Sequence, residues 1–220
     1  MADVAIVTGA SGKIGTAIVR ELERRGLTVA PFDADVTSDA EVEEAVARIV
    51  ADLGVPAACV NAAGIEGPVA AVEDAALADV QRVFDVNVFG IFRTSRALLP
   101  HFKARGSGRI VNIASGAGLG GVPQMAAYTA SKHAVIGLTR SLAIEVATHG
   151  ISVNAVCPGC VESPMMERIE SALGADFRGA IPMGRYAEAE EVASLVAYLV
   201  CDAPPYLTGA SLSVDGGLRA

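Results

Sequence analysis

Hydrophobic positions along the chain alternate between two kinds of spacing. Short β-branched or apolar runs recur at Val4–Val7, Leu27–Phe32, Ala57–Val60, Arg109–Ala114, Ser152–Cys157 and Ser211–Val214, and each predicts a strand. Between them the apolar positions fall three and four residues apart, which predicts helices. One runs from the glycine-rich segment after Val7 to about Arg25, with Gly26 as its C′ residue. The next opens on the capping box Ser38-x-x-Glu41 and places Val42, Ala45, Val46, Ile49 and Leu53 on one side. A long helical pattern covers Leu77–Arg105 and is expected to break near Asn87. Another carries Tyr128 to about Thr148, with Gly150 closing it, and a last one spans Glu188–Val200. The stretch between Cys157 and Glu188 reads as irregular. Alternating strand and helix predicts an α/β fold with a doubly wound parallel sheet of the Rossmann kind. With 220 residues, no repeat and no linker, the chain is expected to form one domain over residues 1–220.

Composition sharpens this picture. The chain is 52% hydrophobic and 19% charged, as expected where helices cover both faces of a parallel sheet. No apolar run reaches the 18 or more residues of a membrane span, and a strand-like segment lies at the very start, so a soluble, cytoplasmic protein is expected, with no membrane partner. A formal net charge of −8 argues against nucleic acid as a partner. Cys157-Pro158-Gly159-Cys160 has the C-x-x-C form of a redox or zinc motif. No second such pair or paired histidine accompanies it, so Cys59, Cys157, Cys160 and Cys201 are expected to be free thiols and no metal site is expected.

The candidate chemistry lies in three places. Thr8-Gly9-Ala10-Ser11-Gly12-Lys13-Ile14-Gly15 joins the first strand to the first helix, where backbone N–H groups and the helix dipole receive a pyrophosphate. Gly9 permits the tight turn and Gly15 a close approach of helix and strand. Eighteen residues after Gly15, Asp33 ends the second strand, where a carboxylate accepts hydrogen bonds from an adenosine ribose and repels a 2′-phosphate. Lys13 cuts the other way, because a cation in the loop could approach that phosphate. With Ala34 following Asp33, NAD is preferred and NADP stays open. Third, Tyr128 and Lys132 lie four positions apart on one helix face, so that the ammonium is expected to favour the phenolate and pull its pKa towards neutrality. Ser115, thirteen residues upstream of Tyr128, adds a hydroxyl able to polarise a substrate oxygen.

Taken in order, these motifs make the whole chain resemble the short-chain dehydrogenase/reductase family in its common single-domain form. The resemblance rests on Thr8-Gly9-x₅-Gly15, Asn61-Ala62-Ala63-Gly64, Asn87-Val88-x-Gly90, the spacing of Ser115, Tyr128 and Lys132, Pro158-Gly159 followed by Val161 and Ser163, and Asp215-Gly216-Gly217. It implies that Tyr128 is the general acid in reduction and the base in oxidation. Lys132 would lower its pKa and bind the nicotinamide ribose, and Ser115 would hold the substrate oxygen. The Asn87 backbone carbonyl would fix a water that relays protons to Lys132. The cofactor would be held by Gly9, Ser11, Ile14 and Gly15, by Asp33, Asp35 and Val36, by Asn61, Ala62, Ala63 and Gly64, and by Tyr128, Lys132, Pro158, Gly159, Val161 and Ser163. The family also implies a homotetramer built on the long helices around Asn87–Ala104 and Tyr128–Thr148.

Three departures from the family pattern carry expectations. Lys13 stands where the family places a glycine, so the loop backbone is expected to run differently there. Ser163 replaces the usual threonine and keeps the hydroxyl. Phe32-Asp33-Ala34-Asp35-Val36-Thr37 leaves no room for the family's next helix and third strand. Six strands are therefore expected, in the family's labels 2-1-4-5-6-7. Pro31 agrees with this, because a proline lacking a ladder donor belongs at a sheet edge.

The pocket is expected between the loop after Ser115, residues near Glu66 and the segment from Glu162 to about Met183. Met165, Met166, Ile169 and Phe177 would form an apolar lid there, unless they merely pack as an amphipathic segment. A small or medium ketone or secondary alcohol is the expected substrate, handled by an NAD(P)-dependent oxidoreductase. A 3-oxoacyl-carrier-protein reductase is the alternative within the family, weakened by the acidic surface and Asp33. A non-catalytic nicotinamide-cofactor-binding protein would be expected to have lost Tyr128 or Lys132. His101, His133 and His149 have no clustered partners and are assigned no role.

Overall fold

Val4–Thr8 (β1) is buried along its whole length, as its uninterrupted apolar run requires of a strand covered on both faces. A computed structural model describes residues 3–32 and 34–220 of the chain. The other strands are β2 (Thr28–Ala30), β3 (Ala58–Asn61), β4 (Gly108–Ile113), β5 (Ile151–Pro158) and β6 (Ser211–Val214). All neighbours pair in parallel, in the order β2-β1-β3-β4-β5-β6. The helices are α1 (Lys13–Arg24), α2 (Asp39–Leu53), α3 (Leu77–Phe84), α4 (Gly90–Arg105), α5 (Ala126–Val146), α6 (Pro164–Leu173) and α7 (Ala189–Ala197). One core cluster packs α1 and α7 on one face of the sheet, and a second packs α2, α4 and α5 on the other.

The sheet has the expected six strands, with β2 at an edge. β2 is shorter than its apolar run predicts: it stops at Ala30, just before Pro31 removes a backbone donor. From there the chain reaches α2 through one compact turn. Asp35 Oδ1 accepts hydrogen bonds from Thr37 N and Thr37 Oγ1 (both 2.9 Å), and Val36 is buried in the core against Gly90. The capping box is only half formed. Ser38 Oγ accepts from Glu41 N, but the Glu41 carboxylate accepts instead from Asp35 N at 3.1 Å.

Two segments differ from the sequence reading. The long helix does not break at Asn87. It passes through one π turn, Asp85–Phe89, in which the Gly90 N–H bonds to the Asp85 carbonyl and the backbone stays right-handed helical. A π turn keeps its backbone hydrogen-bonded while rotating one residue out of register, a feature frequent at functional sites. The segment after Cys157 is not wholly irregular, because Pro164–Leu173 forms α6. Ser163 caps it by accepting from Met166 N at 3.2 Å, and Pro164 occupies the first turn, where its missing N–H costs nothing.

A buried chain of polar side chains ties the sheet to its helices. Thr94 on α4 donates to Asn61 Oδ1 (2.7 Å), Asn61 Nδ2 donates to Asn112 Oδ1 (2.8 Å), and Asn112 Nδ2 donates to Thr139 Oγ1 on α5 (2.9 Å). Thr139 donates onward to the Val135 carbonyl at 2.8 Å. Fully satisfied buried chains of this kind specify one alignment of their elements, and breaking a member strands its neighbours. Among the described residues, no helix is long and apolar enough to cross a membrane.

Asn112→Ala leaves the Asn61 amide and the Thr139 hydroxyl each short of a partner in a dry interior. The expected loss of stability is about 2–4 kcal/mol in a urea titration followed by circular dichroism. Arg24→Ala, which removes an exposed ion pair to Glu21, should leave the urea midpoint close to that of wild type in the same assay.

Candidate active site

The glycine loop is shaped by close backbone approaches. Gly9 has φ +65° and lies against Ala63, where an added Cβ would come within 2.7 Å of the Ala63 backbone. Gly15 is tighter still, with its missing Cβ position 2.1 Å from the Gly9 carbonyl oxygen. Gly12 N donates to Gly9 O and Thr16 Oγ1 to Ala10 O, so the loop closes on itself despite the lysine at position 13. Helix α1 starts at Lys13 with no side chain capping it and no acid in its first turn. Its first N–H groups are therefore available to an anion, and the loop fits a pyrophosphate on those grounds. Ser11 and Lys13 are exposed there.

Beside the loop, Thr8 Oγ1 accepts from both Ala62 N and Ala63 N at 3.2 Å, which locks the end of β3 against β1. Asn61 itself faces inward and belongs to the buried polar chain; it presents no group to the cavity. Val36 is likewise a core residue, and the exposed Asp35 accepts from Thr37 through Oδ1. The shortened connection packs Val36 against Gly90 at the start of α4. Asp33 lies outside the described residues.

Ser115, Tyr128 and Lys132 meet on the wall of a cavity of about 390 Å³, opposite Pro158, Gly159, Val161 and Ser163. The same cavity reaches Ile14 and Ala62 at its cofactor-loop end, so the two motifs share one continuous space. Ser115, two residues past β4 in extended backbone, accepts from Ala117 N at 3.1 Å, which sets its hydroxyl at the mouth of the following turn. Tyr128 is half-buried one turn into α5, and Lys132 is buried below it with its Nζ 5.6 Å from the phenol ring centre. Lys132 Nζ donates to the Ile113 carbonyl at 2.9 Å.

Asn87 is wholly buried and sits beneath this wall. Its Oδ1 accepts from Ile65 N (2.8 Å), while its Nδ2 donates to Ile65 O (2.9 Å) and to Ser131 Oγ (3.0 Å). The side chain thus pins the loop that follows Gly64 to α5, one residue before Lys132. Gly64 leaves little room, because a Cβ there would lie 3.3 Å from Asn87 Oδ1 and 3.4 Å from Lys132 Nζ.

The electrostatics run against the simplest reading of the Tyr–Lys spacing. Burial pushes the Tyr128 phenol above its ordinary value; the Ser115 hydroxyl offsets part of the rise and Glu66 adds to it. Burial also lowers Lys132 from 10.5 to about 8, with the neighbouring Cys157 opposing the change. The expected lowering of Tyr128 fails for that reason. The cation meant to favour the phenolate is desolvated too, and its charge is directed at a carbonyl.

The substrate end is apolar. Met165, Met166, Ile169 and Phe177 all line it, as the lid reading requires, together with Met125 and Leu218. Glu66 closes one edge by accepting from Arg168 Nε at 2.5 Å. Ser163 reaches the cavity, but its hydroxyl also donates to Val161 O and caps α6. Cys59, Cys157, Cys160 and Cys201 are free thiols, and the described residues contain no metal-binding cluster. The sequence reading missed Ser131, the Ile65 and Ile113 carbonyls, Thr8 as a double acceptor, and the C-terminal Leu218 and Arg219. Only the Ser163-Pro164 pair, an N-cap followed by N1 proline, offered a readable signal for the helix that carries the lid.

Comparison with known proteins places this geometry. Residues 2–219 match the family model described as Enoyl-(Acyl carrier protein) reductase. The chain is 36% identical over 250 residues to 2-(S)-hydroxypropyl-CoM dehydrogenase 3 of Xanthobacter autotrophicus, covering 99% of this chain and 97% of that one. Its fold superposes on NAD+-bound xylitol dehydrogenase with a TM-score of 0.92 at 32% identity, covering 98% of each chain. A variant actinorhodin polyketide ketoreductase with NADPH gives a TM-score of 0.93 at 36% identity, covering 99% of this chain and 97% of that one. The chain belongs to the short-chain dehydrogenase/reductase family.

The buried ammonium makes a stability prediction with a definite sign. The folded chain releases the Lys132 proton near pH 8, while the unfolded chain holds it to about 10.5. The unfolded state therefore binds more protons between these values, and Lys132 makes stability rise with pH across that window. Lys132→Met should lose this rise and be more stable than wild type at pH 7, by up to about 3 kcal/mol. Urea titrations at pH 7, 8, 9 and 10 check it; parallel curves for the two proteins would contradict the assignment.

Proposed function

We propose that this short-chain dehydrogenase/reductase interconverts a small or medium secondary alcohol and its ketone with a nicotinamide cofactor, Tyr128 serving as acid and base. One observation carries the reading: Ser115, Tyr128 and Lys132 converge on a cavity that is continuous with the glycine loop. When bound, the nicotinamide supplies or accepts the hydride, while the protein provides orientation and electrostatics.

Gly9, Ser11, Ile14 and Gly15 would hold the pyrophosphate end, Asp33 the adenosine ribose, and Pro158, Gly159, Val161 and Ser163 the nicotinamide side. In reduction the Ser115 hydroxyl holds the carbonyl oxygen and Tyr128 donates its proton to it. Burial suits that role, because it keeps the phenol protonated at rest. Lys132, with its pKa near 8, exchanges a proton close to neutral pH and can return one to Tyr128. Asn87 acts as a positioning residue, holding Ile65 and Ser131 around the lysine. In oxidation the direction reverses, with Tyr128 as the base.

Asp33 supports NAD as the preferred cofactor, through repulsion of a 2′-phosphate, against the exposed Lys13 beside the loop. The relatives support either choice, since the xylitol dehydrogenase carries NAD+ and the ketoreductase NADPH. Likeness to that ketoreductase also supports a 3-oxoacyl-carrier-protein reductase as the second reading. Free cysteines fit a reducing, cytoplasmic setting. Exposed apolar side chains at Phe89, Phe92 and Ile144 (52, 52 and 82% accessible) support a homotetramer through the faces of α4 and α5.

The test follows absorbance of reduced nicotinamide with NADH and NADPH separately, against a panel of ketones. Turnover is expected with NADH in preference to NADPH; the reverse preference would overturn the role given to Asp33. Tyr128→Phe should lower kcat roughly 100-fold or more while cofactor fluorescence titrations stay near wild type. Full turnover in that variant would sink the mechanism.

A further inference from the structure

The wall of the catalytic cavity carries two cationic side chains, Lys132 and Arg219, and no aspartate or glutamate. This is unusual in a chain with a formal net charge of −8. Lys132 is spoken for at the reaction centre by the Ile113 carbonyl. Arg168, at the rim, is paired with Glu66, and Arg178 faces the carboxylates of Glu162, Glu170 and Asp176. Arg219 has no ion-pair partner among the described residues. Its one polar contact is a 3.5 Å approach of Nη2 to the Gly121 carbonyl.

The backbone brings Arg219 to the cavity edge, where its side chain stays exposed to solvent. Gly216 and Gly217 take φ of +61° and +87° and press against Ile181 and Pro182, where a Cβ on Gly216 would lie 2.8 Å from Ile181. Leu218 N donates to Asp215 O, and the Leu218 side chain packs into the apolar lid cluster. Arg219 is thereby thrown across the loop after Ser115, over Gly120. A Cβ at Gly120 would sit 2.4 Å from Nη1, so this glycine makes room for the guanidinium.

We infer that Arg219 binds an anionic group, a carboxylate or a chemically similar oxyanion, at the end of the substrate remote from the reacting carbon. This inference rests on the oxidoreductase reading above and names its substrate class: ketones and secondary alcohols that carry an acid. An anion entering an apolar cavity loses its water and needs a matched cation. A planar guanidinium without a competing carboxylate meets a carboxylate with two parallel hydrogen bonds. The apolar stretch between Arg219 and Ser115 would then take the carbon chain joining the two ends.

Reduction kinetics with levulinate and its longer homologues, each set against its primary amide, test this in wild type, Arg219→Ala and Arg219→Lys. Wild type should prefer the acids. Arg219→Ala should raise KM for the acids roughly tenfold to a hundredfold and leave the amides within about twofold, with Arg219→Lys recovering part of the loss. Equal use of acids and amides by wild type, or equal losses on both in Arg219→Ala, would overturn the assignment. Calorimetric titration of succinate, which has no ketone, gives a readout independent of turnover. Binding to wild type that is lost in Arg219→Ala supports the anion site, and no binding to either protein refutes it. Failure of every ketone with both cofactors would refute the oxidoreductase reading instead, while the succinate titration still decides the role of Arg219.

Discussion

A single ammonium group taken out of water sets the terms for the rest of this structure. Lys132 is almost wholly buried, and its charge is met by one carbonyl, that of Ile113 at the end of β4. Burying a charge is costly unless its donors are satisfied, so the elements around it have little freedom to move. Helix α5 packs closely on the turn after β4, where the missing Cβ position of Gly118 lies 2.8 Å from the Lys132 carbonyl. The loop after β3 also comes close, with the missing Cβ position of Gly64 3.4 Å from Lys132 Nζ.

Two polar devices hold that arrangement. The π turn at Asp85–Phe89 rotates Asn87 inward, where its amide serves Ile65 and Ser131 together. Deeper in the core, the chain from Thr94 through Asn61 and Asn112 to Thr139 links α4, β3, β4 and α5. Neither touches the cavity directly. Both decide where the groups that do touch it can stand, and their cost as buried polar groups is offset because every member is paired.

The cavity itself divides its labour by polarity. Its floor carries the hydroxyl of Ser115, the phenol of Tyr128 and the ammonium of Lys132; its far side is built from the methionines and leucines of α6 and its flanks. Helix α6 owes its position to the Ser163 cap, so a residue expected to face the cofactor also organises the lid. The C-terminal turn closes the remaining edge and brings a guanidinium to it.

Much of this was legible in the chain. The alternation of apolar runs and helical spacing predicts the parallel sheet because strand and helix bury their faces with different periods. Pro31 and the short connection after it predict the edge position of β2, and the glycine spacing predicts the loop, since both are local steric facts. The spacing of Tyr128 and Lys132 puts them on one helix face. Other features were decided only by tertiary structure. The direction of the Tyr128 shift depends on desolvation, and how dry a group is follows from everything packed around it. The inward turn of Asn61 and Val36, the π turn that replaces a break, and the arrival of Arg219 at the wall of the same cavity as Ser115 likewise depend on contacts between segments far apart in the chain. Local sequence specifies periodicity and turn chemistry; burial, partners and electrostatics exist only once the chain has closed on itself.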